Sequence, residues 1–152
     1  MNLKILKIGV DNDTFYDVVE LIKKYRIFYK CSSVSNDSVF KYTKHMIKNN
    51  KSRIWAAYYG DRVVGFTQVY KTYTTIGLGE IWILNDLYVE VEYRGGKIGQ
   101  KLAEKVISEA RKNGAVRVDL KTSFDNELAK KLYLKLGFCK DMVFEYYSKN
   151  LV

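Results

Sequence analysis

Residues 80 to 107 restrict what this chain can fold into more than any other stretch. They open with an apolar run rich in β-branched and aromatic residues, Ile81-Trp82-Ile83-Leu84 and then Leu87-Tyr88-Val89. A basic, glycine-bearing loop follows, Arg94-Gly95-Gly96-Lys97-Ile98-Gly99, and after it apolar residues recur at helical spacing as Ile98, Leu102, Val106 and Ala110. The pattern predicts a buried strand, a tight loop and an amphipathic helix in that order. A glycine-rich turn at a helix N-terminus leaves several backbone N–H groups without intrahelical acceptors and aims them at one point, where a phosphate can satisfy them. Arg94 and Lys97 add positive charge, while Gly95, Gly96 and Gly99 remove the Cβ atoms that would hold a phosphate off the backbone. The loop suits a pyrophosphate; the alternative is an ordinary surface turn before a helix. Neither the P-loop spacing nor the dinucleotide fingerprint is met.

The rest of the chain sets the frame for that unit. With 152 residues and 47% hydrophobic content, it can bury one core, and a single domain over 1–152 is predicted. A net charge of +9 favours anionic partners such as nucleic acid, acidic headgroups or a polyphosphate cofactor, although a lysine-rich solvated surface explains the same excess. Cys31 and Cys139 have no metal-ligand spacing and the chain holds one His, so no catalytic metal is expected. Two cysteines make no disulfide framework, and the N-terminal apolar residues are broken by lysines. A cytoplasmic protein without a membrane span is the expectation.

Taken in order, Leu3 to Ile8 reads as a strand. Asp13 caps a helix from Thr14 to about Tyr29, with Val18, Leu21, Ile22, Tyr25 and Phe28 as its apolar stripe. After a polar break, Asp37 opens a second helix to about Lys48. Residues 53–59 and 62–70 flank Gly60-Asp61 as a hairpin, and Lys71 to Gly79 reads as a polar loop. Beyond the long helix, Asn113-Gly114 is a helix-ending pair, and Val116, Val118 and Leu120 alternate as a strand. A further helix carries Leu128, Ala129, Leu132, Tyr133 and Leu136, and Phe144 to Ser148 reads as a last strand. The sum is β-αα-β-β-β-α-β-α-β, an α/β fold. Its expected centre is a mixed, mostly antiparallel sheet of six or seven strands with about four helices on both faces.

Two ordered motifs carry a resemblance. One is Leu87-Tyr88-Val89 followed by Glu92-Tyr93-Arg94-Gly95-Gly96-Lys97-Ile98-Gly99-Gln100-Lys101-Leu102; the other is Asn126-Glu127-Leu128-Ala129-Lys130-Lys131-Leu132-Tyr133, ending in Leu136-Gly137-Phe138. Together they resemble the GNAT superfamily of N-acetyltransferases over the whole chain. The resemblance implies acetyl-CoA as co-substrate, with Leu87, Tyr88 and Val89 along the acetyl-pantetheine arm and Arg94, Gly95, Gly96, Lys97, Ile98, Gly99 and Gln100 around the pyrophosphate. It further implies Asn126 at the pantetheine, Lys130 near the nucleotide and Tyr133 as the acid that protonates the departing thiolate. One departure stands out: in the pattern Arg/Gln-x-x-Gly-x-Gly/Ala the first glycine falls on Lys97.

For the proton acceptor, Asp86 and Glu80 are the candidates. The period of two puts them on one side of their strand and Asn85 on the other. The run Leu84-Asn85-Asp86-Leu87-Tyr88-Val89 resembles the spermidine/diamine branch of the family, which has a Glu where this chain has Asn85. The expected reaction is direct transfer of acetyl to a primary amine of a small molecule, such as an amino acid, polyamine or amino sugar. Cys139 has no His partner for an acyl-enzyme. Tyr29, Ser33, Tyr70, Tyr73, Asn85 and Asp86 are the expected acceptor contacts. A protein N-terminus or lysine acceptor, a non-catalytic acyl-CoA sensor and a basic nucleic-acid-binding module are the rivals, the last without a recognisable motif. Exposed tyrosines and the last strand leave room for a homodimer.

Overall fold

A computed structural model describes residues 2–11, 13–31 and 34–151, so Ser33 lies outside the described residues. The chain divides into two compact units, Met1–Lys121 and Thr122–Val152. The first contains β1 (Leu3–Lys7), α1 (Asp13–Phe28), α2 (Asn36–Lys48), β2 (Ser52–Tyr59), β3 (Arg62–Thr74), β4 (Gly79–Val89), α3 (Ile98–Lys112) and β5 (Arg117–Leu120); the second contains α4 (Glu127–Lys135).

The strands form one sheet in the order β1-β2-β3-β4-β5, antiparallel except for the parallel β4–β5 pair. Five strands are formed among the described residues, not six or seven. Phe144 to Ser148 has strand-forming side chains but no ladder partner, and the Phe144 amide instead donates to Asp141 Oδ1 at 2.9 Å in an Asx-type turn. The predicted loop from Lys71 to Gly79 is also corrected. Lys71, Thr72, Tyr73 and Thr74 pair with Trp82, Ile81, Glu80 and Gly79, because β-branched and aromatic residues suit a ladder whatever their polarity.

Both faces of this sheet are covered within the first unit. On one, α1 and α2 bury Phe15, Val18, Val19, Leu21 and Val39 against Ile54, Ala56, Val63, Phe66 and Tyr88. On the other, α3 sinks Ile98, Leu102, Ala103, Val106 and Ala110, a helical stripe, against a sheet face carrying stacked Trp55 and Trp82 with centroids 6.0 Å apart. Each fully buried Leu, Val or Phe contributes roughly 1.5–3 kcal/mol, so the two layers fix how β4 is presented. Gly114 ends α3 with φ +74°, the left-handed conformation expected of it.

One irregularity in β4 decides which face Asp86 occupies. Val69 pairs with Leu84, but Gln68 pairs with Asp86, so Asn85 is an extra residue in a β-bulge. Two residues then oppose one, and the alternation of faces slips by one position. Glu80 and Asp86 therefore lie on opposite faces of the sheet, contrary to the period of two, and Asn85 sits beside Asp86, with Asn85 Nδ2 donating to Asp86 Oδ1 at 3.1 Å.

Candidate active site

Beyond the bulge, β4 has one free edge. β5 pairs with it only from Ile81 to Leu84, yet β4 continues to Val89. Glu90 N–H donates to Val64 O at 2.9 Å, so by ladder alternation the backbone groups of Leu87 and Val89 point to the edge away from β3. Tyr88 does the opposite: its side chain is buried against Phe66 and Tyr25 on the α1 face.

A single turn of 3₁₀-helix, Val91–Tyr93, then leads to the glycine loop. Gly95 has φ +84° and open space where a side chain would stand. Lys97 is the N-cap of α3 and holds φ +61°, a left-handed backbone that costs a non-glycine residue about 1–2 kcal/mol. This conformation is the physical reason the pattern carries glycine there. Lys101 N–H donates to Lys97 O at 3.0 Å and closes the first turn, so the Ile98 and Gly99 amides ahead of it have no acceptor within the helix. The Arg94 side chain turns away from this corner. Its Nε donates to Val89 O at 2.9 Å, and its guanidinium stands 5.7 Å from the ring centroids of Phe28 and Tyr88. Arg94 thus ties the loop to the end of α1.

Asp86 occupies the α1 and α2 face among tyrosines. Burial pushes its carboxyl above the usual carboxylate range, while hydrogen bonds from Asn85 and the Tyr25 hydroxyl pull it partly back. Tyr70 lies on the same face; its hydroxyl accepts from Gln68 Nε2 at 2.6 Å, and burial together with the Asp86 charge pushes the phenol up. Tyr29 stands edge-on to Tyr25 with centroids 4.9 Å apart. Thr67, fully buried, donates from Oγ1 to the Asp86 carbonyl at 2.9 Å and pins the bulge. Of the expected acceptor contacts, the fold brings Tyr29, Tyr70, Asn85 and Asp86 together. It does not bring Tyr73, which pairs with Glu80 three residues further along β3, on the other face. The sequence does not single out Tyr25, Thr67 and Gln68, which also lie beside Asp86: Tyr25 reads as core in a helical stripe, and the other two are brought there by the ladder at the bulge.

Glu80 sits in a different environment. It accepts from Lys71 Nζ at 2.8 Å and from Trp82 Nε1 at 2.5 Å, below the Arg53 guanidinium, which lies 4.8 Å from the Trp82 ring centroid. Burial pushes its carboxyl up, but the bonds from Lys71 and Trp82 outweigh it, and the net shift is downward. Such a carboxylate fixes a sheet and is a poor proton acceptor.

In the second unit, Asn126 is the N-cap of α4, its Oδ1 accepting from Ala129 N–H at 3.2 Å. Lys130 pairs with Glu127 and donates to Phe124 O at 2.7 Å. Tyr133 lies one helical turn further on, with its ring edge-on to Phe138 at 5.8 Å. Among the described residues no cluster of His, Cys, Asp or Glu has the makings of a metal site, and no helix is long and apolar enough to cross a membrane. An open cleft of about 750 Å³ beside the β2–β3 turn is lined by Asp17, Lys24, Arg62 and Glu90 among others, and Asp86 is not in its wall.

The model of the acetyltransferase (GNAT) family matches residues 16–138. The chain belongs to this family. The acetyltransferase is 31% identical over 134 residues to the uncharacterized N-acetyltransferase YhfO of Bacillus subtilis (strain 168), covering 88% of this chain and 89% of that protein. It is also similar to a crystal structure described as that of a "probable acetyltransferase", at TM-score 0.91 and 32% identity over 98% of each chain. A protein of Clostridium acetobutylicum described as a "predicted acetyltransferase" and solved with acetyl-CoA shares the fold at TM-score 0.78 and 16% identity, with 97% of this chain and 96% of that one covered. The protein is an acyltransferase, and acetyl-CoA is the co-substrate of its fold. The open β4 edge, the uncrowded Gly95 and the first-turn amides of α3 fit such a ligand.

Proposed function

We propose that this acetyltransferase moves an acetyl group from acetyl-CoA directly to a primary amine of a small molecule, an amino acid, polyamine or amino sugar. The observation that carries the reading is the Asp86 carboxylate, held among Tyr25, Tyr29 and Tyr70 on the strand whose other edge is open. A carboxylate ringed by phenols and ring edges suits an alkylammonium, which gains both charge pairing and ring contacts. Acetyl-CoA, when bound, supplies the activated thioester. Leu87 and the Val89 N–H would hold its pantetheine arm through open-edge backbone groups, the Val89 carbonyl being taken by Arg94, and the amides of residues 95–100 would hold its pyrophosphate. An ammonium does not attack a thioester, so Asp86 takes its proton, directly or through one water, and its raised basicity suits that task. Tyr133, which the family resemblance matches to the thiolate-protonating tyrosine, is the acid for the leaving thiolate.

The test is a melting-temperature titration with acetyl-CoA followed by an amine panel read as free thiol. A ligand that binds only the native state raises the melting point by mass action, about 2.7 kcal/mol at a hundredfold excess over Kd. A clear rise and thiol release with small amines are expected. No rise at millimolar acetyl-CoA overturns the donor site; a rise with thiol release only on peptides moves the acceptor to a protein; a rise with no release on any acceptor leaves a sensor.

A further inference from the structure

Lys97 stands where the empty protein gains nothing from it. It is exposed at the N-cap of α3 with φ +61° and ψ +13°, in a loop that already carries glycine at 95, 96 and 99. Glycine adopts this left-handed backbone without strain; lysine does not. The ammonium adds a second cost, because it lies at the positive end of the helix dipole. The first turn of α3 contains no acid and Lys97 makes no side-chain cap bond, so nothing in the helix offsets that charge. Among the described residues Lys97 has no ion-pair partner, whereas Lys105 on the same helix pairs with Glu109 at 2.9 Å. The other cation of the loop is committed elsewhere. Arg94 donates from Nε to Val89 O at 2.9 Å, and its guanidinium lies over Phe28 and Tyr88, away from the corner that Gly95 leaves open. Of the two, Lys97 is the one left to meet an anion.

We propose that Lys97 is a specificity-determining residue for the acyl donor: its side chain pairs with the diphosphate of acetyl-CoA, a role that the withdrawn Arg94 does not fill. The proposal rests on the reading of residues 95–100 as the diphosphate site and is independent of how the acceptor amine is held. With a dianion at the N-terminus of α3, the charge of Lys97 changes from unfavourable to favourable, while the backbone strain stays. Donor affinity and the stability of the empty protein are therefore set against each other at this residue. Lys101, one turn further along α3, is the natural control: it is equally exposed and equally charged, but its backbone is ordinary helix.

The experiment is calorimetric titration of the full chain with acetyl-CoA and with its 3′-dephospho analogue, beside melting curves without ligand, for wild type, Lys97→Gly, Lys97→Gln and Lys101→Gln. Both Lys97 variants are expected to bind acetyl-CoA about tenfold more weakly, with the same loss for the dephospho analogue and a smaller loss at high salt. Lys101→Gln, which reports only the general field, is expected to lose much less. Without ligand, Lys97→Gly is expected to melt above both wild type and Lys97→Gln, since it alone relieves the backbone. Unchanged or tighter binding in Lys97→Gly overturns the proposal, as does an equal loss in Lys101→Gln. A loss that vanishes with the dephospho analogue overturns it too, because the partner is then the 3′-phosphate. A wild type that binds no acetyl-CoA is a different result: it fails the donor-site reading itself, before any variant is compared.

Discussion

The two carboxylates of β4 stand six residues apart on one strand and have opposite fates. On the α3 face, Glu80 is clasped by Lys71 and Trp82 and held below its usual range. On the α1 face, Asp86 has no cation among its described partners, only a phenol and an amide, and burial holds it above its usual range. Residue type does not separate them; neighbours do. A charge that is paired stabilises the sheet, while a charge left with neutral donors in a desolvated site is costly to keep and available for chemistry. Their linkage to stability has opposite sign as well. Glu80 binds a proton less readily folded than unfolded, so its contribution is present above the unfolded pKa and lost as pH falls through the folded one. Asp86 binds a proton more readily folded, so its contribution is lost as pH rises through the window between its unfolded and folded values.

The largest expected effect that sharpens this contrast is on turnover. Asp86→Asn is expected to lower kcat by about 10²–10⁴-fold while raising the melting temperature at neutral pH, because it removes a disfavoured buried charge. Steady-state kinetics and a melting curve on one preparation check both halves. Glu80→Gln should do the reverse, costing about 1–2 kcal/mol in denaturant unfolding while the folded fraction keeps its turnover. A Glu80→Gln enzyme that folds normally but is inactive would break the comparison. The smallest effect concerns the loop: Lys97→Gly should stabilise the ligand-free protein by about 1 kcal/mol, since it relieves a left-handed lysine and removes a positive charge from a helix N-terminus.

Much of this was legible in the sequence because it is written in local periodicity. The stripe Ile98, Leu102, Val106 and Ala110 is the buried side of α3, Gly114 ends that helix, and the order of elements holds from β1 to α4. What could not be read was registry between strands. The single extra residue at Asn85 reverses the face of Asp86 and gives Thr67 its role at the bulge. No feature of Leu84-Asn85-Asp86-Leu87 announces a bulge; it exists only against β3. Nor does the helical stripe of α1 distinguish Tyr25, whose hydroxyl has a partner, from Phe28, which has no hydroxyl to place. The strand expected at Phe144 failed for a related reason, since propensity cannot supply a partner edge.

The most direct test of the central claim is the pH dependence of kcat/KM for wild type, Glu80→Gln and Asp86→Asn with one amine. Wild type and Glu80→Gln are expected to share a rising limb set by a single ionisation above the ordinary carboxylate range, and Asp86→Asn to be slow and to lack that limb. An Asp86→Asn enzyme that keeps the wild-type limb, or a Glu80→Gln enzyme that loses it, would contradict the assignment of the two faces.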